Sequence, residues 1–240
     1  MKKRTAALIF ALIAALCLTA CGIGGSSPDD DSVTTLVRGT LNEIYLGRYD
    51  KDFLELVDIT EDEAGEAYEN GIDVEARYFC TYFRIIDEDY GETYEDTVTD
   101  ETKQKIRDLY KKIYSKTKFT VGDVAKYDND KYSVPVTVSP INIFELVDDV
   151  LSSGEENPLT TFQIETADID VNSMTDEEYN EYVQNYAQAW IDLVESQIDK
   201  IGYDEDHTVD ISVVRNESNG FFYISEDDLR TFDAYVIIYP

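Results

Sequence analysis

The chain has 240 residues, of which 51 are Asp or Glu and 20 are Lys or Arg, so its formal net charge is −31. Nucleic-acid binding depends on a basic surface, and this charge therefore argues against a nucleic-acid partner. Hydrophobic residues make up 43% of the chain, including 18 Tyr and 10 Phe, which supplies a core and argues against disorder over most of the length.

The first twenty residues have the features of a secretory signal peptide. The basic residues 2–4 precede 16 uncharged residues, 5–20, that are almost all apolar. This run is shorter than the ~20 residues that a helix needs to cross a bilayer. A basic start, a short apolar segment and small residues before a cleavage point predict a signal peptide that is removed.

The end of this segment, "LTAC", resembles the lipobox of bacterial lipoproteins. It consists of Leu18, Thr19, Ala20 and Cys21. The resemblance implies that the Cys21 thiol receives a diacylglycerol and that cleavage makes Cys21 the first mature residue. Two acyl chains suffice for stable anchoring, so we expect a location on the extracytoplasmic face of the cell membrane. The alternatives are an ordinary secretory signal with a chance Cys and an uncleaved anchor helix.

Removal of residues 1–20 would leave 17 Lys+Arg against 51 Asp+Glu, a net charge of −34. Such a charge argues against lying flat on an anionic membrane, so we expect the folded part to stand off the lipid. Only Cys21 and Cys80 would remain, and Cys21 would be lipidated, which leaves no structural disulfide. One His and one free Cys cannot assemble a His/Cys zinc site, and no metal or cofactor is predicted.

The N-terminal half predicts a tether followed by helices. Residues 22–32 are rich in Gly, Ser and Asp and predict a flexible acidic tether. From Val33, apolar residues recur at helical spacing until Gly47 ends the helix, and "KDFLELVD" predicts a short second helix. Thr60 and Glu63 form a capping box that starts a long helix. Cys80 lies within its apolar stretch and is expected to be a small buried side chain.

Further along, Thr99 predicts the cap of another helix, and the apolar period then changes to two. Residues 118–140 and 207–225 each predict a β-hairpin, the second turning at Asn219-Gly220. Pro135 removes a backbone donor, so its strand is expected to have one free edge there.

Helical spacing returns at "INIFELVDDVLSS", and residues 152–173 are predicted to be loop. A second capping box, Thr175 with Glu178, predicts a helix as far as Ile201. Ser225 and Asp228 are expected to cap a last short helix.

These elements predict an α+β fold in which helices pack on one face of a small antiparallel sheet of about four strands, built from the two hairpins. The folded domain would span 33–240. It could consist of two sub-repeats, 33–155 and 156–240, because a strand, turn, strand and helix occur in the same order in both.

The pattern resembles uncharacterised lipoproteins of Gram-positive bacteria. The shared features are the lipobox and tether, the turn at 47–50 ("GRYD"), the T-x-x-E start at Thr60 and the closing "YISEDDL", 223–229. The resemblance implies a helix-plus-curved-sheet fold similar to the nuclear-transport-factor-like cone. It implies no activity, and no catalytic residue can be carried over.

Motifs for chemistry are weak. Asp168, Asp170 and Asn172 suggest a calcium loop, but Ser173 stands where an EF-hand needs Gly and Tyr179 where it needs Glu. The sequence has no nucleophile elbow, phosphate loop or dinucleotide fingerprint. An enzyme is therefore not predicted.

Two other features suggest binding. Residues 103–118 hold seven of the 17 mature cations, among them Lys103, Arg107, Lys111 and Lys112. They could form a patch for an anionic partner, or they could pair with the acidic helix of residues 61–96, which we favour. Four aromatic residues on one face of the helix from 175 could hold a ligand, although core packing is favoured at this spacing; they are Tyr179, Tyr182, Tyr186 and Trp190.

The leading hypothesis is a lipid-anchored, non-catalytic extracytoplasmic binding or interaction protein. Its ligand would be an unknown protein or small molecule. The alternatives are an enzyme with a small-molecule active site in a cone-shaped pocket between sheet and helices, and a subunit of a cell-envelope assembly. A deep pocket with a desolvated carboxylate would favour the enzyme.

Overall fold

The computed structural model describes residues 23, 27–87, 91–128 and 130–240. Within this part of the chain the α-helices are α1 Asp30–Leu41, α2 Lys51–Val57, α3 Glu61–Tyr82, α4 Tyr94–Thr97, α5 Asp100–Tyr114, α6 Ile143–Ser153, α7 Pro158–Glu165, α8 Asp176–Glu195 and α9 Glu226–Asp233. The strands are β1 Lys118–Val121, β2 Ala125–Lys126, β3 Lys131–Ser139, β4 His207–Arg215 and β5 Phe222–Ile224. A π-helical turn, Asn42–Leu46, follows α1, and single 3₁₀ turns occur at Val171–Ser173 and Ile198–Lys200.

The chain divides into two compact units that are interleaved along the sequence. Unit 1 contains the described residues up to Gly71 together with 114–141 and 203–238, and unit 2 contains 72–113, 142–202 and 239–240. These units do not coincide with the stretches 33–155 and 156–240. The sub-repeat hypothesis for those stretches stays a prediction.

Unit 1 contains an antiparallel sheet in the order β1-β3-β4-β5, with the short β2 also paired to β3. The α+β class and the assembly of both hairpins into one antiparallel sheet are thus confirmed. The described sheet has five strands because the first arm of the first hairpin is split into β1 and β2.

The split lies opposite Pro135, in the middle of β3. The pairing register changes by one residue between Val121↔Val136 and Ala125↔Ser133, which is the signature of a bulge. The carbonyl of Pro135 accepts a hydrogen bond from Gly122 N at 2.8 Å. Since the nitrogen and the carbonyl of a strand residue point to the same side, the Pro135 nitrogen, which has no hydrogen, faces the gap between β1 and β2. The expected free edge is therefore wrong: β3 is flanked on both sides, and a bulge accommodates the missing donor.

One face of this sheet forms the core of unit 1. Alternate residues of β3 and β4 are buried, namely Tyr132, Val134, Val136, Val138, Val209, Ile211 and Val213. Helices α1 and α9 contact these strands. Each such buried aliphatic side chain contributes about 1.5–3 kcal/mol, so this face accounts for much of the stability of the unit.

Unit 2 is helical in its described part, and several aromatic rings pack against one another in its core. Phe83 packs against Trp190 at 4.1 Å between ring centroids, and Phe144 stacks on Tyr239 at 4.3 Å. Trp190 is 9% exposed. Core packing is thus confirmed for the Trp190 end of the predicted aromatic face of α8.

Both capping boxes are present. The carboxylate of Glu63 accepts from Thr60 N at 2.8 Å, and that of Glu178 accepts from Thr175 N at 2.8 Å. The cap predicted for α9 is wrong, because Ser225 makes no side-chain capping bond and Asp228 accepts from Ser212 N on β4 instead.

Other boundaries differ from the prediction. Helix α1 begins at Asp30, three residues before the predicted start at Val33, because Asp29 caps it by accepting from Ser32 N. Helix α8 ends at Glu195 instead of continuing to Ile201. The prediction of loop for 152–173 is wrong, because α7 occupies Pro158–Glu165.

Candidate functional site

The predicted lipobox, Leu18, Thr19, Ala20 and Cys21, lies outside the described residues. The described chain begins at Ile23, whose backbone pairs with Phe222 on the outer edge of β5. Ile23 N donates to Phe222 O at 3.2 Å, and Phe222 N donates to Ile23 O at 3.1 Å. Part of the predicted tether is therefore bound to unit 1 only two residues after Cys21.

The predicted basic patch lies on α5 in unit 2. Arg107 Nε is 3.3 Å from Asp73 Oδ1 on α3, as the internal-pairing interpretation expects. Lys103 donates to the carbonyl of Glu95 at 3.1 Å, and Lys112 forms an ion pair with Glu195. Lys111 lies in the last turn of α5. Several of these cations thus have acceptors within unit 2, and their binding of an anionic partner stays a prediction.

Asp73 is the centre of a half-buried polar cluster. Its Oδ1 is ion-paired with Arg107 and accepts a hydrogen bond from the hydroxyl of Tyr94 at 3.4 Å, while Arg77 pairs with Glu95. The Arg77 hydrogen bond holds the pKa of the Glu95 carboxyl below its usual range, and burial raises the pKa of Tyr94. Because the charges within this cluster pair with one another, we interpret it as structural.

Glu43 is a buried carboxylate in the π-helical turn of unit 1. Its side chain is 7% exposed, and desolvation raises its pKa from 4.5 to about 7. π-Helical turns and perturbed carboxylates both occur often at functional sites, which makes Glu43 a candidate acid–base group. No sequence motif distinguished Glu43 from the other 50 acidic residues.

A groove of about 550 Å³ lies in unit 1 between the end of α1 and the edge strand β1. We call it the β1 groove. Its lining residues are Arg38, Asn42, Leu46, Thr117, Lys118, Phe119, Thr120, Val121, Thr137, Ser139 and Asp206. Two cations thus flank a partly apolar wall in a chain whose overall charge is strongly negative. Glu43 is not among these lining residues, although its neighbours Asn42 and Leu46 are.

The polar residues that line the β1 groove differ in whether their side chains have interaction partners. Asp206 accepts from the hydroxyl of Ser139 at 2.6 Å, and the Lys118 ammonium lies 3.7 Å from the centroid of the Tyr203 ring. Thr117 is 8% exposed, and its Oγ1 is buried with no hydrogen-bond partner within the described chain. A buried hydroxyl without a partner costs about 1–3 kcal/mol, so Thr117 carries a local cost in the packing beside the groove.

Unit 2 has a second open surface between α7 and α8. Grooves of about 800 and 460 Å³ share Phe162, Thr166 and Asn185, and their other lining residues include six acids. Ile164 on α7 and Ile169 are exposed, and Ile169 lines the smaller groove. Sequence reasoning missed this surface because it predicted loop over α7.

The described residues contain no group of three or more His, Cys, Asp or Glu that could hold a metal ion. In the loop that suggested calcium, Asp170 Oδ1 accepts from Asn172 N at 3.1 Å and so stabilises a local turn. Cys80 is fully buried, as predicted, and burial raises the pKa of its thiol to about 12. Within the described chain, no helix has both the length and the apolar character needed to cross a membrane.

Comparison with known proteins reveals similarity of fold only. No protein-family model matches the sequence, and no curated protein matches it. The structure is similar to the crystal structure of a presumed lipoprotein, YcdA, from Bacillus subtilis, with a TM-score of 0.51 and 14% sequence identity. The match covers 87% of this chain and 56% of that chain, so the present chain spans little more than half of its length. The likeness to the nuclear-transport-factor cone stays a prediction.

Proposed function

We propose that the chain is a lipid-anchored binding protein on the extracytoplasmic face of the cell membrane. The lipobox residues support the anchor, and the fold is similar to that of a chain that is named as a presumed lipoprotein. The sulfur of Cys21 would carry two acyl chains, which suffice for stable membrane attachment.

The observation that carries a binding role is the β1 groove. Arg38 and Lys118 line it together with Thr117, so two cations flank the groove. Its wall also includes the apolar side chains of Leu46 and Phe119. A small ligand with an acidic group and an apolar part fits these features, because few convergent polar groups in a partly apolar cleft are typical of ligand sites.

The anchor is tested by replacing its acceptor atom. Cys21→Ser should block processing or release the protein from the membrane fraction. Cys17→Ser is the matched control, because Cys17 lies in the segment to be removed, and this variant should stay membrane-bound. Retention of a correctly cleaved Cys21→Ser protein would refute the anchor.

The groove is tested with aromatic carboxylates and their uncharged amides as matched probes in ligand-observed NMR. We expect the carboxylates to bind better than the amides. Arg38→Ala and Lys118→Ala should weaken binding, while Arg48→Ala, an exposed cation outside the groove, should leave it unchanged. Equal binding of acid and amide, or equal effects of the three variants, would contradict this ligand class.

An enzyme is the second candidate, and Glu43 is the observation that favours it. A carboxyl with a pKa near 7 suits general acid–base catalysis. Glu43 does not line the β1 groove, which is why we propose binding first. The two functions separate when a co-purified ligand is identified and added back: recovery of unchanged ligand supports binding, whereas turnover that Glu43→Gln abolishes would support the enzyme.

A further inference from the structure

The outer edge of β5 binds the chain two residues after the proposed lipid anchor, on which the role of this edge rests. Ile23 is bound to Phe222 through two backbone hydrogen bonds. Two residues of extended chain span at most about 7 Å, so the Cα atom of Cys21 cannot lie farther than this from that of Ile23. A diacylglycerol on Cys21 would therefore hold the β5 edge close to the lipid surface.

The turn that precedes β5 carries an exposed aromatic side chain. Phe221 is 42% exposed and lies directly beside the bound segment. Aromatic rings favour the boundary between headgroups and acyl chains. An exposed Phe is costly in water but suits a surface that faces a membrane.

The charges before and after β5 in the chain indicate which end of this strand approaches the lipid. The turn 216–221 contains one acid, Glu217, and the adjacent Arg215 pairs with Asp130 at 3.3 Å. At the C-terminal end of β5, the next helix begins with three consecutive acids, which anionic headgroups repel. They are Glu226, Asp227 and Asp228. The turn 216–221 is thus the less acidic of the two ends of β5 and the one that we expect to lie nearer to the lipid.

We propose that the outer edge of β5 and the turn 216–221 form the membrane-facing surface of unit 1, with Phe221 at the lipid interface. The sequence predicts that charge keeps the whole folded part away from the lipid. In this proposal, one surface of unit 1 faces the lipid instead. Since β1 and β5 are opposite edges of the sheet, the β1 groove then opens on the side of the sheet away from the anchor.

The test uses the lipidated full chain in vesicles of phosphatidylethanolamine and phosphatidylglycerol. Single cysteines at Phe221 or Glu217 are labelled with an environment-sensitive fluorophore, and brominated acyl chains serve as the quencher. The matched control is Tyr127→Cys, an exposed aromatic position beside β2. Three strand spacings separate β2 from β5, roughly 14 Å. Cys80 is buried and Cys21 would carry the lipid, so the introduced thiol is labelled selectively.

We expect the labels at 221 and 217 to lose clearly more fluorescence to the quencher than the label at 127. Labelling at 217 keeps Phe221 in place, so the test does not depend on tolerance of a change at 221. A chain that floats with the vesicles but shows equal or no quenching at the three positions overturns this proposal alone. A chain that does not float with the vesicles overturns the anchor and this proposal with it.

Discussion

Arg107 places its Nε atom 3.3 Å from Oδ1 of Asp73, and both side chains are about one third exposed. Asp73→Ala would leave the partly buried guanidinium of Arg107 without its ionic partner and the hydroxyl of Tyr94 without its acceptor, so we expect a loss of about 1–3 kcal/mol in the free energy of unfolding. Urea unfolding measures it. The control is Glu55→Ala, which breaks the exposed Lys51–Glu55 pair and should cost less than about 0.5 kcal/mol. Equal losses in the two variants would show that the Asp73 cluster does not contribute to stability.

Two glycines in helices should respond to Ala in opposite directions. A Cβ on Gly39 in α1 would lie 2.1 Å from Cδ2 of Phe53, whereas a Cβ on Gly71 in α3 has no atom within 4 Å. Gly71→Ala should stabilise by up to about 1 kcal/mol through helix propensity. Gly39→Ala should destabilise by about 1–3 kcal/mol through overpacking. Thermal unfolding of both variants checks this, and a stabilising Gly39→Ala would contradict the close packing of α1 on Phe53.

Glu43 should make stability depend on pH. Its folded-state pKa of about 7 is above its ordinary value of 4.5, so its favourable contribution is full below pH 4.5 and is lost as the pH rises through 7. Glu43→Gln should therefore be more stable than the parent by up to about 3 kcal/mol at pH 8 and similar to it at pH 4. Urea unfolding of both proteins at the two pH values measures the difference, and Glu66→Gln on the exposed face of α3 is the control. A difference that is the same at pH 4 and pH 8 would contradict the desolvation of Glu43.

Thr117→Val tests whether the buried hydroxyl of Thr117 affects only the stability of the protein or also the binding of a ligand. In the free protein, removal of a hydroxyl without a partner should leave stability unchanged or raise it by up to about 1–3 kcal/mol. Binding of the aromatic carboxylate probe should be unchanged, because the hydroxyl oxygen is buried and not exposed to the β1 groove. Paired measurements of unfolding and of probe binding test this. A loss of stability would contradict the absence of a partner for the Thr117 hydroxyl, and weaker binding would contradict its burial.

The thiol of Cys80 should be inert in the folded protein. It is fully buried and its pKa is raised to about 12, so little thiolate exists at pH 8. Reaction with a disulfide reagent should proceed only as fast as the protein unfolds, and denaturant should accelerate it. Immediate reaction in the absence of denaturant would contradict the burial of Cys80.

Local signals explain which elements could be predicted. The capping boxes at Thr60 and Thr175 were predictable because both partners of each box lie within three residues of one another. Helix α7 was missed because its apolar residues follow no clear period, but Asn157 and Pro158 supplied a usable signal. The Asn157 side chain accepts from Leu159 N and Thr160 N, and Pro158 occupies the first helical position, where its missing donor costs nothing.

The candidate sites depend on contacts that are distant in sequence. Arg38 and Lys118 are 80 residues apart and come together only through the packing of α1 beside β1. The burial of Glu43 likewise depends on tertiary packing, and 51 acids make composition uninformative. The bulge at Pro135 could not be predicted locally either, because it appears only in the register of β1 and β2 against β3.

The most direct test of the anchor is the intact mass of the protein extracted from membranes. We predict a chain that begins at Cys21 and carries the added mass of a diacylglycerol on that residue. A mass that retains residues 1–20, or one that begins at Cys21 with an unmodified thiol, would contradict it.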